Sequence, residues 1–362
     1  MVTTTEPAAG KGAQLLSDMR ALATSPRELW IVYLMKFLES VGYFTMYSMI
    51  PIFLSSDFDL TDEAAGSVTG TWATAISMVV FIAGFVADAV GVKRALFWAA
   101  LSTAVGRLLM AFTPGLSGVY VALALGVWGI GCMKPTMNAA VRTYTTPATV
   151  AFAFSFYYVV MNVGSLTQGP IITEFREIFR AGVDVGGFHL SAAQCIFLVG
   201  GVCSTINVGL SLLLRENPPG SAPPPPVAAS KNPFKIAREV MSEPAFWKFM
   251  GFVALLTLVR LIFQHAHLTW PKYTLRAFGD DFAFAWYWSI NPAMVIVLTP
   301  FATMLTRRFR PYPVIVFGSI ISALSVFAMA FSTSIAATVV FIVTLSIGEI
   351  LWSPRLYEYT AT

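Results

Sequence analysis

Charge is scarce in this chain. Of its 362 residues only 12% are Asp, Glu, Lys or Arg, about half the usual share for a soluble domain. Cysteine is rarer still. Cys132, Cys195 and Cys203 are the three present, all in apolar stretches and none at metal-ligand spacing, so a disulfide framework is not indicated. The net charge of +4 comes without a dense basic run, which removes nucleic acid as a partner. Residues 1–28 lack the charged head and apolar core of a cleaved signal peptide. No Gly-x-x-x-x-Gly-Lys loop for a nucleotide phosphate occurs. His265 and His267 are close in sequence but two residues apart, hence on different faces of a helix. No metal centre, cofactor or enzymatic constellation is therefore expected.

What fills the chain instead is apolar surface, with 56% of residues hydrophobic. Long apolar runs fall near 29–54, 65–88, 95–113, 118–140, 151–173, 193–214, 246–270, 283–305, 313–331 and 336–354. Each can cross a hydrocarbon layer, which needs about 20 helical residues. In lipid the backbone must satisfy its own polar groups, so these runs predict an all-α, polytopic membrane protein.

Lys and Arg set the orientation. With a cytoplasmic N-terminus, fifteen of the 23 fall on the cytoplasmic side and four (Arg176, Arg180, Lys272, Arg276) on the other. The remaining four, Lys36, Arg107, Lys134 and Arg260, lie within spans. That bias is the expected one for a multi-pass protein with its N-terminus inside.

The longest break, 215–245, contains the run Pro223 to Pro226, which favours an extended, semi-rigid spacer. The predicted organisation is a tail (1–28), a six-helix bundle (29–214), a Pro-rich linker (215–245) and a second bundle (246–362) with four helices. The two bundles are weakly alike. Lys36 in span one matches Arg260 in span seven, Lys93-Arg94 matches Arg307-Arg308, and Gly131 with Pro135 matches Gly348 with Pro354. Repeats of this kind build many secondary carriers, with the substrate at the midplane between them. A six-plus-six plan would need two more spans, so an incomplete chain is expected, a genuine ten-span protein being the alternative.

Between spans two and three the chain reads Gly84-Phe-Val-Ala-Asp88-Ala-Val-Gly91-Val-Lys93-Arg94. This resembles the loop signature of the major facilitator superfamily: a Gly, an Asp four later, a Gly three later, then a basic pair. Three further segments resemble its proton-coupled oligopeptide transporter branch. They are Lys134-Pro135 at the end of span four, Asn162-Val-Gly164-Ser165-Leu166 in span five, and Gly348-Glu349 with Ser353-Pro354 in span ten. The family's first helix carries Glu-x-x-Glu-Arg. Here Glu39 holds the first position, while Gly42 and Tyr43 replace the second Glu and the Arg. Span seven lacks the family's Glu and offers Arg260, Gln264, His265 and His267.

The resemblance implies a fold with ten of twelve helices and alternating-access transport of a small solute, proton-coupled. The solute would be a peptide or another anionic or zwitterionic compound. Lipid and protons are the other expected partners; the oligomeric state is not read. The loop residues Gly84, Asp88, Gly91, Lys93 and Arg94 would then latch the two halves. Ionisable groups at bilayer depth each require a reason, since one costs at least about 2.5–3.5 kcal/mol. Glu39 can pair locally with Lys36, or face a cavity and meet Lys134. Lys134 can snorkel or bind a substrate carboxylate. Glu349 needs a partner from another helix. Arg107 is either structural or functional. Arg260, Gln264 and His265 form a polar stripe on span seven, and Tyr43, Tyr47 and Asn162 can line a cavity.

Overall fold

The structure is a computed structural model and describes residues 19–147, 149–216, 241–306 and 308–361. Most of the Pro-rich linker and most of the N-terminal tail therefore lie outside the described residues. The helices are α1 (Arg27–Ser56), α2 (Asp62–Val90), α3 (Val92–Phe112), α4 (Leu116–Thr143), α5 (Val150–Leu166), α6 (Gln168–Ile178) and α7 (Ala192–Leu212). After the linker come α8 (Pro244–Leu268), α9 (Trp270–Phe278), α10 (Phe284–Trp288), α11 (Ile290–Thr306), α12 (Pro311–Ser325), α13 (Phe327–Phe331) and α14 (Ile335–Ala361). Taken as continuous rods, eight of these are long and apolar enough to cross a membrane. The helices of 29 and 25 residues at α2 and α8 are not among these eight.

Several expected spans are broken rods. α5 gives way to α6 at Thr167, α8 to α9 at Thr269, and α10 to α11 at Ser289. A proline follows each break within three residues: Pro170, Pro271 and Pro292. Proline removes a backbone donor and disfavours helix in the residue before it, so the rod bends there. One element escapes the helix-only reading. Val183–Val185 (β1) pairs antiparallel with Phe188–Leu190 (β2) across Gly186 and Gly187. Both glycines have positive φ (59° and 88°), as a two-residue turn matching strand twist requires.

Packing repeats between the halves. α4 lies against both α2 and α3, and α14 lies against both α11 and α12. In the second set, Gly318 and Gly348 meet. A Cβ on Gly348 would stand 2.7 Å from the Gly318 carbonyl, so two bare backbones set that crossing. The first half also packs α3 and α1 on α7 and α5 on α1. Gly164 makes the last contact possible, since a Cβ there would come 2.6 Å from Ser40 Cβ.

The halves meet along a seam of α1 and α2 against α8, α5 against α11, and α6 against α10. At the face poor in Lys and Arg the seam is shut by charge. Asp62 pairs with Lys272 and Arg276, and Arg180 pairs with Asp281. Arg176 donates to the Asp280 carbonyl at 2.8 Å. Beneath them Ser289 donates to the Leu166 carbonyl at 3.2 Å. At the opposite, basic-rich face the described ion pairs stay within one half. Glu28, fully buried, holds Arg215 at 2.6 Å.

Candidate functional site

Ionisable side chains gather on α1, α3, α4 and α14. Glu39, one turn along α1 from Lys36, meets neither expected lysine. Arg107 of α3 takes it bidentately, Nη1 and Nη2 each donating at 3.0 Å, and Nη1 also donates to Ser204 Oγ at 2.6 Å. Both partners are almost fully buried, with side chains 1% and 5% exposed. A two-pronged guanidinium–carboxylate pair is the geometry best able to repay burial of two charges.

Gly42 explains how Arg107 gets there. A Cβ on Gly42 would fall 2.6 Å from Arg107 Nη1 and 3.2 Å from Gly200 Cα. The departure at position 42 in the Glu-x-x-Glu-Arg pattern is thus a notch. Glu39 of α1 takes its guanidinium partner from α3. The sequence contained the hint, a glycine where a side chain is expected, but nothing linked it to a residue 65 positions away.

With Glu39 engaged, Lys36 turns to Tyr157, its Nζ 5.0 Å from the ring centroid. Lys36 is only 9% exposed. Lys134 lies within electrostatic range of it, its Nζ 4.3 Å from the Tyr43 centroid. Such cation–π contacts contribute about 2 kcal/mol when desolvated. Tyr43 stacks on Tyr47 at 5.4 Å. Tyr47 in turn donates to Gln264 of α8, so an aromatic path runs from Lys134 to the second half.

Glu349 stands opposite. Asn291 Nδ2 donates to its Oε2 at 2.9 Å, and Tyr158 of the first half donates to its Oε1 at 3.3 Å. Tyr157 under Lys36 and Tyr158 on Glu349 are neighbours in sequence, on the helix α5 that meets α11 across the seam.

The other expected residues separate. Asn162 is buried but donates to the Tyr158 carbonyl of its own helix at 2.9 Å. His265 is exposed and bonds Thr269 at 3.1 Å. His267, not counted among the site candidates by sequence, is the histidine in the seam. It stacks on Tyr47 at 5.4 Å and is 7% exposed. Arg260 lies on α8 with its side chain outside the described residues. Gly84 and Asp88 occupy the last turns of α2, where the Asp88 side chain is likewise outside them. Gly91 has φ of 86°. Lys93 N donates to Glu216 at 3.2 Å, and Lys93 Nζ to the Leu212 carbonyl at 2.9 Å, which ties this loop to the end of α7. Arg94 is exposed. A cavity of about 390 Å³ beside the hairpin is walled by apolar groups such as Phe175, Leu190 and Cys195. A charged solute gains nothing there. Among the described residues no cluster could hold a metal ion.

The family model that matches is that of the Major Facilitator Superfamily, over residues 32–360. The chain belongs to this superfamily. Relatives within it include peptide carriers. The dipeptide and tripeptide permease A of Edwardsiella piscicida is 26% identical over 144 residues, 39% of this chain and 29% of its own. The di-/tripeptide transporter of Lactococcus lactis subsp. lactis is 26% identical over 183 residues, 48% of this chain and 36% of its own. The chain thus spans about a third of the length of these curated relatives. A crystal structure of a peptide transporter POT in complex with sulfate superposes with a TM-score of 0.69 at 16% identity, covering 93% of this chain and 84% of that one. The superfamily fold and the multi-pass membrane character follow, as does the likeness to the oligopeptide transporter branch.

Proposed function

We propose that this chain is a secondary carrier that moves a small zwitterionic or anionic solute, a short peptide being the leading candidate, by alternating access coupled to protons. The observation that carries the reading is the split of charge across the seam, with Lys36 and Lys134 on the first half and Glu349 on the second. A solute carboxylate would sit at the lysines and its amine at Glu349, so the solute itself would bridge the halves. A midplane site between repeats is the arrangement such carriers use.

The N-terminus is placed in the cytoplasm, following the positive-inside bias. The ion-paired face is then extracytoplasmic and shut. Gly84, Asp88, Gly91, Lys93 and Arg94 form the loop that would latch the halves in the opposite state; here Lys93 is held at the end of α7. Glu349 is a carboxylate with bonds to both halves, so its protonation would loosen the Tyr158 link that spans the seam.

The test is uptake of a labelled dipeptide by liposomes carrying the chain, with and without an inward proton gradient. Gradient-driven uptake, lost on Glu349→Gln with insertion retained, is the expected result. Gradient-independent silence across peptides, amino acids, nitrate and organic anions would overturn the carrier reading.

A further inference from the structure

One buried polar group in the seam has no role yet: His267 on α8. Its Nδ1 lies 2.9 Å from the Phe263 carbonyl. A carbonyl oxygen only accepts, so Nδ1 carries the hydrogen and Nε2 presents a lone pair. That nitrogen is buried and has no hydrogen-bond partner among the described residues. The ring is boxed by Phe44 and Tyr47 of α1, at 5.7 and 5.4 Å, and by Trp288 of α10, at 5.0 Å. The box is therefore built by both halves and exists while the extracytoplasmic face is shut.

Resting on the carrier reading above, we infer that His267 is a proton-binding site of the cycle, in the helix that lacks the family's glutamate. The charged and titratable groups around it whose side chains are described are committed elsewhere. From α1, Glu39 is held by Arg107, and Tyr43 lies under Lys134 of α4. Tyr47 of α1 donates to Gln264. From α9, Lys272 and Arg276 are held by Asp62 of α2. Glu349 of α14 is bonded by Asn291 and Tyr158. On α10, Tyr287 stacks on Phe282. On α8 itself, His265 bonds Thr269, and Arg260 lies two turns back. An imidazolium in the closed box would be a desolvated cation facing rings alone, so the closed state holds the neutral form. When the halves part at the outer face, Phe44 and Tyr47 leave with the first half and water reaches Nε2. A hydrated histidine titrates near pH 6.5. Nε2 then takes a proton from the outer water, and closure requires that the proton leave or that the solute bring an anion to it. Each pH unit below that value tilts the balance toward the open face by about tenfold.

The test is distance measurement by double electron–electron resonance. Spin labels are placed through Ser56→Cys and Ala277→Cys, both exposed on opposite sides of the seam, with the three native cysteines replaced. In nanodiscs, lowering the pH from 7.5 to 5.5 should raise the long-distance population about tenfold or more. His267→Gln should flatten this response, while His265→Gln should keep it. His267→Phe, which fills the box without a lone pair, serves should the glutamine variant fail to fold. A pH response retained without His267, or absent from the parent, overturns the proposal. Proton-driven opening without solute uptake would instead overturn the carrier reading and leave this site standing.

Discussion

Arg107→Leu isolates the role of the Arg107–Glu39 pair. The substitution leaves a carboxylate only 5% exposed with its bidentate partner gone. Removing one member of a buried pair costs about 3–5 kcal/mol, because the other charge stays buried and unmatched. Gly42→Ala attacks the same contact from the other side. Its Cβ would meet Arg107 Nη1 at 2.6 Å and Cζ at 3.0 Å, forcing the guanidinium off Glu39. Overpacking of that kind costs about 1–3 kcal/mol. The informative measurement is the double variant. With leucine at 107 the guanidinium is gone, and only the 3.2 Å approach to Gly200 Cα remains. The penalty of Gly42→Ala should then fall by at least half, a coupling of about 1 kcal/mol or more. Thermal unfolding of the four proteins in one detergent, followed by tryptophan fluorescence, gives the cycle. Additive penalties would refute the notch argument, since they would mean that Gly42 serves α1 or Gly200 and not the arginine.

Three further outcomes are expected. Gly348→Leu should uncouple α14 from α12, because the crossing admits no Cβ; the loss should exceed about 2 kcal/mol in the same melt, while Gly115→Ala, whose Cβ would meet nothing within 4 Å, stays near neutral. Arg215→Ala should lower the melting temperature by leaving the buried Glu28 with Arg27 alone, at 3.3 Å, and Glu28→Gln should recover part of that loss. Asp62 has its carboxyl held below the usual carboxylate value of 3.8, chiefly by its hydrogen bond to Lys272, with Arg276 adding to it. A lowered value means that its contribution is complete above pH 3.8 and fades as pH falls through the lowered value. The Ser56–Ala277 label distance should accordingly lengthen again below pH 4, and Asp62→Asn should abolish that acid step without touching the one near pH 6.5.

Hydropathy and the Lys/Arg bias made the helical fold legible, since both are properties of whole segments. The breaks at Thr167, Thr269 and Ser289 were written in the prolines after them, but a hydropathy run does not show a bend. The site was legible in part. Lys36, Lys134 and Glu349 stand out because charge in an apolar run demands a reason. The partner of Glu39 was not readable, because three helices must pack before Gly42 and Gly200 form a gap for Arg107. Which of His265 and His267 faces the seam was not readable for a related cause. They sit on different faces of one helix, and the face that meets α1 is decided by packing of the halves and not by either residue's neighbours in sequence.

The ion pairs that shut one face have an environmental consequence. Arg180 and Asp281 are 66% and 76% exposed, and Arg276 is 72% exposed, so dissolved salt screens them over about 8 Å at physiological ionic strength and over less in brine. The described ion pairs of the basic-rich face, Glu28 with Arg27 and Arg215, lie within one half, so salt acts on them without parting the seam. Ionic strength therefore acts on the ion-paired face, and added salt lowers the barrier to opening there.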